Sequence, residues 1–114
     1  MKNSTGKFFL IRDAYYQSWI VNENEKGTNI VIELTGVQPG ILFDSIVYRG
    51  IRLSVAVQDK DGIVYLKSKQ NVGSSKLSTE NGTAPGPDRI LFRYNGTNQS
   101  YILKEIRRLN TKYY

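Results

Sequence analysis

Apolar and polar residues alternate one by one along most of this chain, and that alternation limits the fold more than any other feature. The clearest instance is residues 28–34, in which Ile30, Ile32 and Leu34 share one face. Successive side chains of a β-strand point to opposite faces, so the pattern predicts a strand with one buried face. Helical spacing of apolar residues is not sustained over a comparable length anywhere before residue 101.

Other segments with the same alternation are separated by residues that favour turns. We predict strands over residues 7–22 (two short strands or one bent strand), 28–34, 41–48, 52–58, 63–68 and 89–94. The dipeptides Asp61-Gly62 and Asn95-Gly96 predict tight hairpin turns, because Asp-Gly and Asn-Gly readily adopt positive φ. Arg49-Gly50 is interpreted as a kink or bulge, since a glycine within a strand pattern often marks one.

Two segments are less clear. Residues 73–88 form one long irregular stretch, with a short strand predicted around Lys76 to Ser78. In residues 101–109, a helical stripe is formed by Ile102, Leu103, Ile106 and Leu109. The Asn-Gly turn shortly before this segment instead favours a hairpin partner, so we predict a strand there.

The composition supports an all-β fold. The chain has 26 Val, Ile and Thr residues and 13 aromatic residues but only three alanines; branched and aromatic side chains favour strands, whereas alanine favours helices. Seven to nine short strands predict an antiparallel immunoglobulin-like β-sandwich, with a small OB-like barrel as the alternative. The whole chain, 1–114, is expected to be one domain with Trp19 in its core, and residues 1–6 to be flexible or left from cloning.

The absence of cysteine and histidine excludes much chemistry. Disulfides, Cys/His zinc sites and His-dependent nucleophilic catalysis need those residues. The segment Asp59–Gly62 is similar to the start of a calcium loop, but Gln70 occupies the position of the bidentate acid, so a turn is favoured. Asp44, which lies within a predicted strand, is expected to pair with Arg49 or Arg52. We therefore predict no enzyme activity, no catalytic or metal-binding residues and no cofactor.

Tyrosines and cations are interleaved along several predicted strands. Single-stranded nucleic-acid platforms use such rings for stacking and such cations for phosphate neutralisation. Tyrosines of a sandwich also commonly bury the ring and leave the hydroxyl at the rim. The residues predicted to form a ligand surface are Tyr48, Arg49, Tyr65, Lys67, Arg93 and Tyr94.

The formal net charge of +6 allows an anionic partner without requiring one, since a charge of this size also serves solubility. The longest uninterrupted apolar run, Phe8–Ile11, is too short for a transmembrane helix. The first residues, Met1-Lys2-Asn3, are similar to the start of an export signal whose apolar region is missing. This is expected either of a cytoplasmic protein or of a mature domain whose signal has been removed.

Three segments carry a family resemblance: residues 19–23 (WIVNE), 40–50 (GILFDSIVYRG) and 90–94 (ILFRY). In these the chain resembles small envelope proteins of Bacteroidetes whose function is uncharacterised. The resemblance implies a short β-rich domain, exported and often lipid-anchored, in the periplasm or at the cell surface. It brings no catalytic residues with it.

These features predict a non-catalytic binding or structural module of the bacterial cell envelope. Its expected partner is another envelope protein or a polysaccharide, with nucleic acid less favoured. A small single-stranded nucleic-acid-binding barrel is the alternative, and a carbohydrate-binding or carbohydrate-acting protein is a weaker one.

Overall fold

The computed structural model describes residues 8–73 and 80–114, and within these ranges the regular structure is all strand. The strands are β1 (Leu10–Asn22), β2 (Glu25–Thr35), β3 (Ile41–Tyr48), β4 (Ile51–Ser54), β5 (Ala56–Lys60), β6 (Ile63–Gly73), β7 (Glu80–Thr83), β8 (Arg89–Tyr94), β9 (Thr97–Ile102), β10 (Arg107–Arg108) and β11 (Lys112–Tyr113). The predicted all-β class is confirmed.

The strands form two separate sheets. The first has the order β10-β1-β2-β6-β5, with β11 also paired to β1, and the second has the order β7-β4-β3-β8-β9. All pairs are antiparallel except those of β10 and β11, which run parallel to β1. The series β1-β2-β6-β5 and β4-β3-β8-β9 reproduce the A-B-E-D and C′-C-F-G orders of an immunoglobulin sandwich. The predicted sandwich is therefore confirmed, and the barrel alternative is wrong because the sheets do not close.

The core lies between the two sheets and follows the alternation of the sequence. Ile30, Ile32 and Leu34 of β2 are fully buried, and they face Ile46 of β3 and Ile90 of β8, which are also fully buried. Burying one such side chain contributes roughly 1.5–3 kcal/mol. The period-two pattern of β2 is thus the direct cause of its orientation in the sandwich.

Three two-residue turns connect neighbouring strands through left-handed backbone. Their φ angles are 51° and 79° at Arg49-Gly50, 54° and 80° at Asp61-Gly62, and 50° and 85° at Asn95-Gly96. Positive φ at both central positions defines the type I′ turn that matches the twist of a hairpin. The two predicted turns are confirmed. The predicted kink or bulge at Arg49-Gly50 is wrong, because this dipeptide closes the β3–β4 hairpin.

The segment predicted as one strand over 52–58 is divided between the sheets. Its first half, β4, pairs with β3 in the second sheet, whereas its second half, β5, pairs with β6 in the first. Val55 lies at the crossing, so Leu53 is buried in the core while Val57 is 52% exposed. The uninterrupted alternation carries no sign of this change of sheet.

The C-terminal residues run along the outer edge of β1. The Leu109 N–H donates to Tyr16 O at 2.8 Å and the Tyr114 N–H donates to Ile20 O at 2.9 Å. The predicted strand over 101–109 is confirmed only in part. Strand β9 begins before this segment and ends at Ile102, and the short strand β10 follows before Leu109. The helical alternative is wrong. The short strand predicted around 76–78 lies outside the described residues.

Candidate functional site

The structure does not bring the six predicted ligand residues onto one surface. Tyr48 points into the core and Tyr94 packs against Phe8. Arg93 lies on the outer face of the second sheet, whereas Tyr65 and Lys67 lie on the outer face of the first. Two pairs are brought together within the six, Tyr48 with Arg49 and Tyr65 with Lys67.

The first of these pairs closes one end of the core. The Arg49 guanidinium lies 4.9 Å from the ring centroid of Tyr48 and 5.5 Å from that of Tyr16. The Arg49 backbone N–H donates to Asp88 Oδ1 at 2.8 Å. Burial raises the pKa of the Tyr48 hydroxyl above 10. These contacts explain Arg49 as a structural cap over two tyrosines.

The outer face of the first sheet is arranged in rows by the strand register. The rows, read from β1 across β2 and β6, are Asp13-Glu33-Tyr65, Tyr15-Val31-Lys67 and Gln17-Asn29-Lys69, followed by the pair Trp19-Gly27. Strand β5 extends the first two rows by Gln58 and Ala56. Aromatic, amide and cationic side chains are therefore neighbours on this face.

Both carboxylates of these rows are engaged by arginines. Glu33 is 8% exposed, pairs with Arg12, and accepts a hydrogen bond from the Tyr15 hydroxyl at 2.9 Å. Asp13 pairs with Arg107 at 2.8 Å. Burial, then the hydrogen bond and charge of Glu33, raises the pKa of Tyr15 to about 12. The two carboxylates of this face are thus bound by neighbouring side chains of the protein.

Cations also cover the rings of Tyr15 and Tyr65 on this face. Arg107 lies 5.7 Å from the ring centroid of Tyr15, and the Lys67 ammonium lies 5.8 Å from that of Tyr65. Lys67 also donates to Gln58 Oε1 at 3.0 Å. One face of each ring is therefore covered by its cation.

Trp19 has a different environment, and the prediction that it fills the core is wrong. Its indole lies over Gly27 on the outer face, where a Cβ built at Gly27 would be 2.7 Å from Trp19 Cζ2. Its Nε1–H donates to Asn29 Oδ1 at 3.3 Å. The inward positions of β1 are instead taken by Ala14 and Tyr16. The indole of Trp19 thus packs over Gly27 on the sheet and is partly exposed.

A depression of about 550 Å³ is lined by Asn29, the hydrogen-bond partner of this indole. It forms where the chain crosses between the sheets at Val55, so that β6 has no β5 neighbour beyond Lys67. Its lining consists of Ile30, Ser54 and Ser68, of which Ile30 and Ser68 are buried, and of six further residues: Asn29, Val31, Val55, Ala56, Lys67 and Lys69. Asn29 connects the depression to Trp19, because its side chain accepts the hydrogen bond of the indole. We call Trp19 and these six residues the Trp19 site.

The outer face of the second sheet carries charged and aliphatic side chains. Arg52 pairs with Asp44 at 2.7 Å, as predicted, beside a groove of about 420 Å³ that Arg93 and Asn98 also line. Leu42 at the other end of β3 is 64% exposed. Strands β3, β4, β8 and β9 turn no aromatic side chain to this face.

Residues 8–73 and 80–114 contain no group of three or more carboxylates placed to hold a metal ion. In the same ranges no helix is long and apolar enough to cross a membrane. The chain matches no family model, no curated protein and no solved structure to which it was compared.

Sequence reasoning missed Trp19 and Asn29 as site residues. Two signals were present: Gln17, which is polar and shares a face with Trp19, and Gly27, which leaves room for a large ring on the neighbouring strand. Their meaning depends on the β1–β2 register, in which Trp19 stands opposite Gly27.

Proposed function

We propose that the protein is a non-catalytic, polysaccharide-binding module of the bacterial cell envelope, and that the Trp19 site is its binding surface. The observation that supports this most strongly is the partly exposed indole of Trp19, which packs over Gly27 and is hydrogen-bonded to Asn29 at a depression. A sugar ring has apolar C–H faces that pack on an aromatic ring and hydroxyls that need hydrogen-bonding partners. The Trp19 site offers both.

The amide of Asn29 supplies the polar part of that match. A side-chain amide has two N–H donors and one carbonyl oxygen, and the Asn29 oxygen accepts from the Trp19 Nε1–H at 3.3 Å. The two amide N–H groups of Asn29 are donors of the kind that ligand hydroxyl oxygens need. The backbone beneath the ring and this hydrogen bond fix the indole before binding, which reduces the ordering cost of association.

The carboxylates beside the site support binding without hydrolysis. Glycosidases use two carboxyl groups that flank the scissile bond, one as acid and one as base or nucleophile. On this face Asp13 and Glu33 are each engaged by an arginine, and Glu33 is nearly buried. Neither is presented to a ligand at Trp19.

The location at the envelope rests on the resemblance described above. Fractionation of a bacterium that encodes the protein, followed with a specific antibody, tests it. We expect the protein in the periplasmic or membrane fraction, and recovery in the cytoplasmic fraction alone contradicts that part of the proposal.

The binding surface is tested by fluorescence, because Trp19 is the single tryptophan of the chain. Titration with a panel of soluble neutral and acidic polysaccharides is expected to change its emission. Isothermal calorimetry should show that Trp19→Ala weakens binding by about tenfold or more, equivalent to roughly 1.4 kcal/mol.

Leu42→Ala, on the opposite outer face, is the matched control and should bind as the unsubstituted protein does. The proposal fails if no polysaccharide binds. It also fails if both variants bind with the affinity of the parent protein.

A further inference from the structure

We infer that the ligand of the Trp19 site is a segment of a linear polysaccharide that also packs on Tyr114 and runs from there over Trp19 to the depression. This inference rests on the proposed function and specifies a further contact residue and the length of the ligand. It is carried by strand β11, which places Lys112 and Tyr114 at the edge of the first sheet beside Trp19.

Strand β11 brings Tyr114 to the same face as Trp19. Lys112 is the partner of Trp19 in the parallel β1–β11 pair, and alternate residues of an extended chain share a face, so Tyr114 follows Lys112. The Tyr114 N–H donates to Ile20 O at 2.9 Å, which continues the pairing to this residue. The Lys112 ammonium lies 5.3 Å from the ring centroid of Tyr114, as expected of two side chains on one face.

The rings of this face differ in how much of each a ligand can reach. Tyr15 and Tyr65 are partly buried, and each has one face covered by a cation. Tyr114 also has a cation, Lys112, at its ring, yet it is 70% exposed. Tyr114 is therefore the accessible ring that accompanies Trp19 on this face.

The spacing of the two rings suits an extended ligand. Tyr114 lies one strand away from Trp19 and two residues further along the strand direction. Given strands about 4.8 Å apart and a rise of about 3.3 Å per residue, their Cα atoms are separated by about 8 Å. Rings placed in this way contact different parts of one chain rather than a single sugar ring.

The same diagonal continues from Trp19 into the depression. Asn29 lies on the next strand, two residues from the row of Trp19 in the direction opposite to Tyr114, and accepts the hydrogen bond of the indole. Val31 and Ala56 lie two residues further in that direction and line the depression. We call this line from Tyr114 over Trp19 and Asn29 to Ala56 the diagonal path.

The diagonal path is much longer than one sugar unit. Between Tyr114 and Ala56 it crosses four strand spacings, from β11 through β1, β2 and β6 to β5, and six residues along the strands. The same strand dimensions give about 28 Å between the two Cα atoms. A ligand that uses the whole path must therefore contain several sugar units.

The cations near the diagonal path favour a glycan over a single-stranded nucleic acid. Lys67 and Lys112 each lie over a tyrosine ring. Arg107 is paired with Asp13. A nucleic acid must neutralise its phosphates with cations, and these three already contact other side chains. Sugar hydroxyls need only hydrogen-bonding groups, such as the amide N–H groups of Asn29.

The test compares short and long oligosaccharides by calorimetry and Trp19 fluorescence. The probes are oligogalacturonates, chito-oligosaccharides and malto-oligosaccharides, each from the disaccharide to the octasaccharide, with oligo(dT) as the nucleic-acid probe. The variants are Tyr114→Ala and Tyr114→Phe, and the matched control is Tyr113→Ala. Tyr113 is 74% exposed but stands opposite Ile20, so it lies on the other side of β11.

We expect the octasaccharide of at least one series to bind about tenfold tighter than its disaccharide. Tyr114→Ala should lower the octasaccharide affinity by about tenfold, as loss of an aromatic contact residue commonly does. Tyr114→Phe, which keeps the ring, and Tyr113→Ala should bind the octasaccharide as the parent protein does.

One result separates this inference from the proposed function. If Tyr114→Ala binds the octasaccharide with the affinity of the parent protein while Trp19→Ala has lost it, the inference is overturned and the proposed function stands. Binding of no glycan removes both.

Four other results also overturn the inference. Equal losses in Tyr113→Ala and Tyr114→Ala identify a general loosening of β11. A loss in Tyr114→Phe as large as that in Tyr114→Ala contradicts packing on the ring. A disaccharide that binds as tightly as its octasaccharide contradicts the length of the path. Tighter binding of oligo(dT) than of any glycan identifies a nucleic-acid surface.

Discussion

The outer faces of the two sheets differ although the same kind of strand builds both. The first sheet turns Tyr15, Trp19 and Tyr65 outward, together with amides and lysines. The second sheet turns its aromatic side chains inward, where Phe43 and Phe92 pack against Phe9. Its outer face is left with arginines and exposed aliphatic residues.

This difference follows from how the core is filled. The first sheet contributes mostly aliphatic side chains to the core, such as Ile30, Ile32 and Leu34, and the second contributes the larger rings. The remaining aromatic residues of β1 and β6 therefore lie on the outer face of the first sheet. An immunoglobulin-like scaffold thus acquires a candidate binding face on one side only, and each prediction below compares the two faces.

The largest effect is expected from Gly27→Ala on the first face. A Cβ at this position would lie 2.6 Å from the carbonyl oxygen of Gln70 and 2.7 Å from the indole of Trp19, so backbone and ring must move. We expect a loss of about 1–3 kcal/mol in the free energy of unfolding, measured in urea, with a red-shifted tryptophan emission.

Ser100→Ala, an exposed outward position on β9, is the counterpart of Gly27→Ala on the second face. It should change stability by less than about 0.5 kcal/mol. If Gly27→Ala is as harmless as Ser100→Ala, the indole does not rest on Gly27 as described.

A smaller contrast is expected between the carboxylates of the two faces. Glu33 is nearly buried and binds both Arg12 and Tyr15, whereas Asp44 and Arg52 are both substantially exposed. Glu33→Gln should cost roughly 1.5–3 kcal/mol because hydrogen bonds to a charged group are lost in a site with little access to water. Asp44→Asn should cost at most about 1 kcal/mol. The same urea series measures both, and equal costs contradict the difference in burial.

The smallest effect concerns the ionisation of Tyr15. Its pKa is raised to about 12, so the folded state favours the neutral hydroxyl. The resulting stabilisation is complete below pH 10, the unfolded value, and is lost as the pH rises through about 12. The tyrosinate absorbance of the parent protein minus that of Tyr15→Phe should therefore show a late-titrating group.

Glu33→Gln separates the causes of that shift. The variant should lower the pKa of Tyr15 but leave it above 10, because burial is the largest cause. Asp44→Asn on the other face should leave the Tyr15 curve unchanged. A difference curve centred at pH 10 in the parent protein contradicts the contact between Tyr15 and Glu33.

How much the sequence predicts depends on how distinct the two faces of a strand are. In β2 one face is aliphatic and the other mainly polar, so its orientation follows from alternation alone. In β1 both faces carry large residues, Tyr15 and Trp19 on one and Tyr16 and Ile20 on the other. Hydrophobicity therefore does not determine which face of β1 is buried. The register of β1 with β2 determines it. The sequence pattern therefore predicts the wrong face for Trp19.

Tertiary pairing explains the other differences. The turn propensity of Arg49-Gly50 is weaker than that of Asn-Gly, so its hairpin is recognised only when β3 and β4 are seen to pair. The passage from β4 to β5 changes the sheet without interrupting the alternation. The depression of the Trp19 site is a consequence of that passage, and no local pattern predicts it.

The central claim is that ligand binds on the first sheet's outer face at Trp19. The most direct measurement is a ¹H–¹⁵N NMR titration of the assigned protein with oligogalacturonate. We predict the largest shift changes at the Trp19 indole N–H, the Asn29 side-chain amide and the amides of residues 67–69. Changes centred on Leu42, Arg93 and Asn98, with the Trp19 indole unmoved, would contradict the account.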